Sequence, residues 1–330
     1  MDRITAEKVE LAANGKLQKA ASFLAKYTIY IVFLIIVVIM SFVSPVFFKL
    51  SNFMNILLQS SYIGIIAIGM TLVILVKEID LSVGSNLALC SAVGVWLMLF
   101  SGLNPIYGMI SIVLVGAMVG FINGVATTFL RMPAFIVTLV MMQIARGLTL
   151  AISKGRAWYM MPGIFKQAGA FDIGPVAISV VIMVLGFAIG QVALSRTIWG
   201  QNIYAVGSNP EAANICGINN RRIKIISFTW CGALVGVSSF VLTSRLSSFY
   251  PGIGTGFEFD AIAAVVIGGT SLYGGEGSLI GTFIGVLIMG VINNAMNLIG
   301  VDPYWVSVVK GAVIFLAVLA DSIRKIIERR

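Results

Sequence analysis

The chain has 330 residues, of which 59% are hydrophobic and 11% charged, and its mean hydropathy is +1.01. A water-soluble fold of this length cannot hide so much apolar surface, so composition indicates an integral membrane protein. The net charge of +9 is the balance expected when Lys and Arg collect in loops on the inner side of a membrane, and no nucleic-acid partner is needed to explain it.

In chain order, residues 1–26 read as a basic, amphipathic cytoplasmic tail lying on the membrane surface. No cleavable signal is expected, because the first apolar run is long enough to span. Spans are expected at 27–48, 62–76, 83–100, 106–130, 134–152 and 175–194, with Lys49 to Asn55 as a turn and Lys77 to Ser82 as a polar break. Residues 154–174 form the longest outer loop, where Trp158, Tyr159 and Phe165 suit the membrane interface. A polar loop at 195–224 leads to a seventh span at 225–244 and a glycine-rich outer loop at 245–256. Residues 257–268 are too short to cross a core of about 30 Å, which needs about 20 helical residues. They read as a half-helix broken at Gly268-Gly269-Thr270. Spans at 278–299 and 304–320 and a basic tail at 323–330 complete an all-α polytopic fold of about ten spans, with one membrane domain over 27–322.

Charge sets the orientation. With both termini cytoplasmic, the inner segments hold Lys77, Arg131, Arg196, Arg221, Arg222, Lys224 and the basic tails, whereas the outer ones hold Lys49, Lys154, Arg156, Lys166 and Arg245. A weak internal repeat pairs GFINGVATTFL from Gly120 with GVINNAMNLIG from Gly290, and AIGMTLVIL from Ala67 with LVGVSSFVL from Leu234. In the ten-span arrangement each pair joins spans of opposite direction, the pattern of an inverted repeat.

The polar interval from Trp199 to Lys224 carries the chemistry of a short, bounded helix. Either Ser208 and Glu211 form a capping box, or Asn209 caps with Pro210 at the first helical position. Ala212, Ala213, Asn214 and Ile215 continue the helix, and Gly217 ends it in a left-handed cap. A membrane protein that displays such a helix on its cytoplasmic face is built to dock something there.

The run GSNPEAANICGINNRRIKIISFTWCGALVG from Gly207 resembles the cytoplasmic loop of permease subunits of bacterial ABC importers, of the ribose-type monosaccharide kind. KEIDLSVGSNLAL from Lys77 and FDAIAAVVIGGTSLYGGEGSLIGTFIG from Phe259 match the same family. The resemblance implies that the short helix couples to a separate ABC ATPase through Ser208, Asn209, Pro210, Glu211, Ala212, Ala213, Gly217 and Ile218. It also implies a second copy of the chain, an extracytoplasmic sugar-binding protein that sets most of the selectivity, and ATP and Mg bound by the ATPase. The expected setting is the bacterial inner membrane.

Asp80 and Ser82, with Gly84 after them, have two compatible readings. Ser82 caps the following span while Asp80 accepts nearby amides, and the resemblance implies a hinge lining the pathway. Gly268 and Gly269 join the same group as a helix break, tolerated only where freed backbone faces protein or water. The glycines from Gly268 to Gly277 lack the Lys-Ser/Thr ending of a phosphate loop, and Glu276 would repel phosphate. Asn123, Asn293, Asn294 and Asn297 suit a polar path for a neutral sugar, with helix-to-helix hydrogen bonding as the plainer role. Arg146 and Lys310 are intramembrane charges and functional candidates by default.

Histidine is absent, which removes the commonest general base and metal ligand and weighs against a membrane enzyme. Cys90, Cys216 and Cys231 have no metal-ligand spacing, and no disulfide, metal or bound cofactor is expected. A branched-chain amino-acid permease is the nearest rival. A stand-alone carrier would need a mid-membrane carboxylate, whereas Glu78, Asp80, Glu258, Asp260 and Glu276 are expected at breaks or loops.

Overall fold

The computed structural model describes residue 31 and residues 33–328; the expected tail at 1–26 lies outside the described residues. The helices are α1 (Phe33–Val43), α2 (Leu50–Leu75), α3 (Val83–Phe100), α4 (Pro105–Phe129), α5 (Ala134–Ser153), α6 (Gly163–Ala170), α7 (Ile178–Arg196), α8 (Ile198–Ser208), α9 (Pro210–Ile215), α10 (Asn220–Leu246), α11 (Phe257–Ile267), α12 (Leu279–Leu298) and α13 (Pro303–Glu328). A two-stranded hairpin of β1 (Asp172–Ile173) and β2 (Val176–Ala177) lies between α6 and α7. Among the described residues, eight helices are long and apolar enough to cross a membrane. The shorter α1 and the half-length α11 occupy the first and eighth expected positions. The protein is a polytopic all-α membrane protein.

The described residues form two compact units, one of residues 48–291 and the other of those described before residue 48 together with 292–328. In the second of these, α1 and α13 expose Phe42, Trp305 and Phe315, as helices meeting hydrocarbon do.

Within 48–291, α10 runs through the centre and packs along α4, α2 and α3. Small residues let the backbones approach. Gly116 and Gly120 on α4 face Gly232 of α10, and a methyl group on any of the three would strike backbone of the opposite helix. Hydroxyls join the same helices: Ser91 of α3 bonds Ser239 at 2.7 Å and Thr243 at 2.6 Å, and Ser238 donates to the Tyr62 carbonyl at 2.8 Å. In hydrocarbon each such group must find an internal partner, which is how a core this apolar remains specific.

Three expectations change. Lys49 to Asn55 is no turn: α2 starts at Leu50, since nothing from Leu50 onward breaks a helix and Lys49 is already extended. The 154–174 segment holds α6, with Phe165 fully buried rather than interfacial. Trp158 also turns inward, pairing with Phe249 through backbone bonds of 2.9 and 2.8 Å and a ring contact of 4.9 Å. Of that trio, only Tyr159 is largely exposed, at 71%.

Candidate functional site

The short helix expected in the polar loop is α9, six residues and about 9 Å long. Of the two openings, the structure takes the second: Asn209 Oδ1 accepts from the amides of Glu211 at 3.1 Å and Ala212 at 3.0 Å, and Pro210 is the first helical residue. Its end is a complete Schellman turn. Gly217 lies at φ +83°, the amide of Ile218 reaches the Ala213 carbonyl at 3.0 Å, and that of Gly217 reaches Asn214 at 3.0 Å. Asn220 donates to the Pro210 carbonyl at 2.6 Å and ties the helix to α10. Asn209→Ala removes both amide bonds and is expected to cost about 1 kcal/mol of local stability, read as faster hydrogen exchange confined to residues 210–217.

Ser208, Asn209, Glu211, Ala212, Asn214 and Gly217 are exposed, and Ile215 is 85% exposed. Ile218 is half-buried. Ala213, expected on the presented face, is only 5% exposed. In so short a helix one side must rest on the rest of the chain, and Ala213 is on that side. The exposed residues of α9 are Glu211, Ala212, Asn214 and Ile215.

The preceding stretch is α8, a helix that the sequence reading left within the loop. Thr197 caps it by accepting from the Gly200 amide at 3.2 Å. Near its end, Gly207 lies against the Leu75 carbonyl at the end of α2 and against the backbone of Gly275. The Gly275 amide itself donates to the Leu75 carbonyl at 2.9 Å. Tyr204 donates to the Gly277 carbonyl at 2.9 Å, and burial pushes its phenol above the usual range, which keeps it a donor. The glycine loop 274–277 is therefore held directly by the helix that carries α9.

That loop belongs to the expected break. α11 ends at Ile267 in a second Schellman turn, with Gly269 at φ +85° and the Thr270 amide on the Val265 carbonyl at 3.2 Å. Gly268 packs against the backbone of Gly281 and Thr282 on α12, where a Cβ would find no room. Gln191 of α7 accepts from the amides of Leu279 at 3.0 Å and Ile280 at 3.3 Å, capping α12 from outside. Glu258 and Asp260 fall on the first turn of α11, not in a loop, and are buried there, where carboxylates suit a helix N-terminus.

Asp80, Ser82 and Asn123 form a buried hydrogen-bonded cluster. Asp80 Oδ1 accepts from the Ser82 amide at 2.8 Å and hydroxyl at 2.6 Å, and Asn123 donates to Ser82 Oγ at 3.0 Å. Ser82 therefore does not cap α3 with its side chain; Asp80 takes its hydroxyl instead. Gly84 lies against Glu258 and the Gly254 carbonyl, so α3 begins on the turn that precedes α11. The 247–256 loop folds inward with Phe249 and Ile253 buried, and Arg146 of α5 donates to its carbonyls at Pro251, 2.6 Å, and Ile253, 3.3 Å. Arg146 holds backbone rather than reaching for solvent. Asn293 lies on α12 in the other unit, with its Oδ1 buried and no partner. Lys310 is half-buried on α13.

The residues missed by sequence reasoning are Leu75, Tyr204, Gly207 and Gln191. The small-residue spacing of Gly116-Gly120-Gly124 and Gly232-Gly236 was legible in principle, because it repeats every fourth position.

The stacked spans hold a broken half-helix and, joined to it through α8, a capped and exposed short helix, and the chain's relatives make it a polytopic permease. The family model described as "Branched-chain amino acid transport system / permease component" matches residues 52–318, and the chain belongs to that family. It is 42% identical to the ribose import permease protein of Escherichia coli strain K12 over 94% of this chain and 97% of that protein. Identity to the ribose import permease protein of Bacillus subtilis strain 168 is 41%, covering 97% and 98%. An L-arabinose ABC transporter permease protein of Azospirillum brasilense is 35% identical, covering 90% and 87%. No solved structure matches.

Proposed function

We propose that the chain is the membrane subunit of an ATP-driven importer of a ribose-type monosaccharide, working as a homodimer in the bacterial inner membrane with both termini cytoplasmic. The near full-length identity to ribose import permeases carries this reading. Although the family description mentions branched-chain amino acids, these relatives are sugar permeases, so the amino-acid alternative is not favoured.

In this reading a separate ATPase binds ATP and Mg and receives α9 in a groove. Its closure moves α9, and α8 passes the movement to the 274–277 loop and hence to the break between α11 and α12. An extracytoplasmic binding protein delivers the sugar. Asp80, Ser82, Gly84, Asn123, Gly268, Gly269 and Asn293 line or hinge the pathway.

The test is uptake of labelled ribose by cells lacking their own ribose permease, given this chain with an ATPase and binding protein of the ribose type. Uptake that requires all three supports the reading; uptake by the chain alone points to a carrier. Purified alone, the chain is expected to hydrolyse no ATP, because it has no phosphate loop. Robust turnover by the isolated chain would overturn the assignment.

A further inference from the structure

Between the α4–α5 turn and the start of α10 lies a cleft of about 340 Å³. Three cations and one carboxylate line it: Arg131, Arg221, Lys224 and Glu78. Glu78 is taken by an ion pair with Lys224. Among the described residues, neither Arg131 nor Arg221 pairs with a carboxylate. The Arg221 guanidinium is also placed, over the Phe129 ring and 5.5 Å from its centroid. The backbone of Arg131 is held at φ +54°, a conformation that a residue with a side chain rarely adopts.

Two further groups in the wall lack partners. Thr127 is 8% exposed, and its hydroxyl makes no hydrogen bond. The Asn220 amide nitrogen donates to the Pro210 carbonyl, which fixes the orientation of the amide and leaves Oδ1 buried and unsatisfied. Buried polar groups without partners are costly and uncommon in a finished fold.

We propose that this cleft binds the headgroup of an anionic glycerophospholipid, its phosphate on Arg131 and Arg221 and its polyol hydroxyls on Asn220 and Thr127. Guanidinium pairs match phosphate oxygens. A buried acceptor such as Asn220 Oδ1 needs a donor, which a glycerol headgroup supplies. The surroundings favour a lipid over a soluble phosphate: Leu130 is 68% exposed, Phe129 59% and Phe135 54%, leaving an apolar flank for acyl chains beside the cations. The proposal rests on the membrane setting and not on the sugar carried.

The test uses the full chain, purified in detergent and stripped of lipid. Native mass spectrometry measures retention of phosphatidylglycerol against phosphatidylcholine of the same acyl chains, with thermal unfolding as a second readout. Wild type is expected to prefer phosphatidylglycerol by roughly tenfold. Arg131→Gln with Arg221→Gln is expected to lose that preference, while Lys166→Gln on the exposed face of α6 keeps it. If the double variant does not fold, Arg221→Gln alone, at an exposed position in the first turn of α10, keeps the test available. Equal retention of the two lipids, or a preference that survives neutralisation of the arginines, overturns the proposal. Equal stabilisation by inorganic phosphate or glycerol 3-phosphate overturns the lipid assignment. Loss of ATPase co-purification in the variants with lipid preference unchanged assigns the cleft to the partner protein and overturns it too.

Discussion

Ile215→Glu is expected to leave the chain folded and inserted while weakening its hold on the ATPase by roughly thirtyfold, the effect of one interface hot spot. Ile215 is 85% exposed at the end of a helix capped at both ends, so the folded chain loses nothing by the change. In a partner's groove the same side chain would be the largest apolar group that α9 presents, and a carboxylate there would have to be desolvated without a counter-ion. Ala213→Arg gives the contrast. That site is 5% exposed, so arginine forces α9 off its seat and should lower the stability of the chain itself. The measurement is ATPase co-purification and sugar uptake beside thermal stability, with Lys166→Ala as control. Undiminished co-purification of Ile215→Glu would remove α9 as the docking element.

The second large effect lies at the α11–α12 break, where two adjacent glycines are required for different reasons. Gly269→Leu imposes a left-handed backbone on a branched residue, a cost of about 1–2 kcal/mol. Gly268→Leu instead drives a side chain into the backbone of Gly281 and Thr282, overpacking that costs about 1–3 kcal/mol or more. Either cost is enough to change a conformational equilibrium by roughly tenfold, and uptake should fall accordingly while insertion is kept. The conservative variants separate the causes. Gly269→Asn, a residue that tolerates left-handed φ, should recover most activity. Gly268→Ala should not, because its Cβ already meets the Gly281 carbonyl. Full uptake by both leucine variants would show that the break is not a working part.

How far the sequence reached depended on the range of the interaction. Caps and breaks are decided within a few residues, so a helix start at 208–211, Gly217 and Gly268-Gly269 could be read directly, as could the long apolar spans. The choice between Ser208 and Asn209 as the cap could not, because both local patterns were sound and the difference is one of backbone direction. Which face of α9 is presented was not legible either: Ala212 and Ala213 are chemically identical, and only the packing of α9 on its neighbours distinguishes them. Phe165 and Trp158 were misplaced for the same reason, since an aromatic residue in a loop looks alike whether it meets lipid or Phe249. The contact among Leu75, Gly207 and Gly275 joins positions far apart in the chain, and no local signal reports it.

That three-way contact also limits how the chain can change in length. Gly207 reaches the Leu75 carbonyl only because it sits at one angular position on α8. A single residue inserted between Ile198 and Gly207 would turn the end of the helix by about 100° relative to its start. A neighbouring side chain would then face a carbonyl that has room for none. Insertions in the 154–174 segment carry no such penalty at this contact. Variation in length among descendants of this chain should therefore spare α8, which keeps its residue count even as its exposed positions drift.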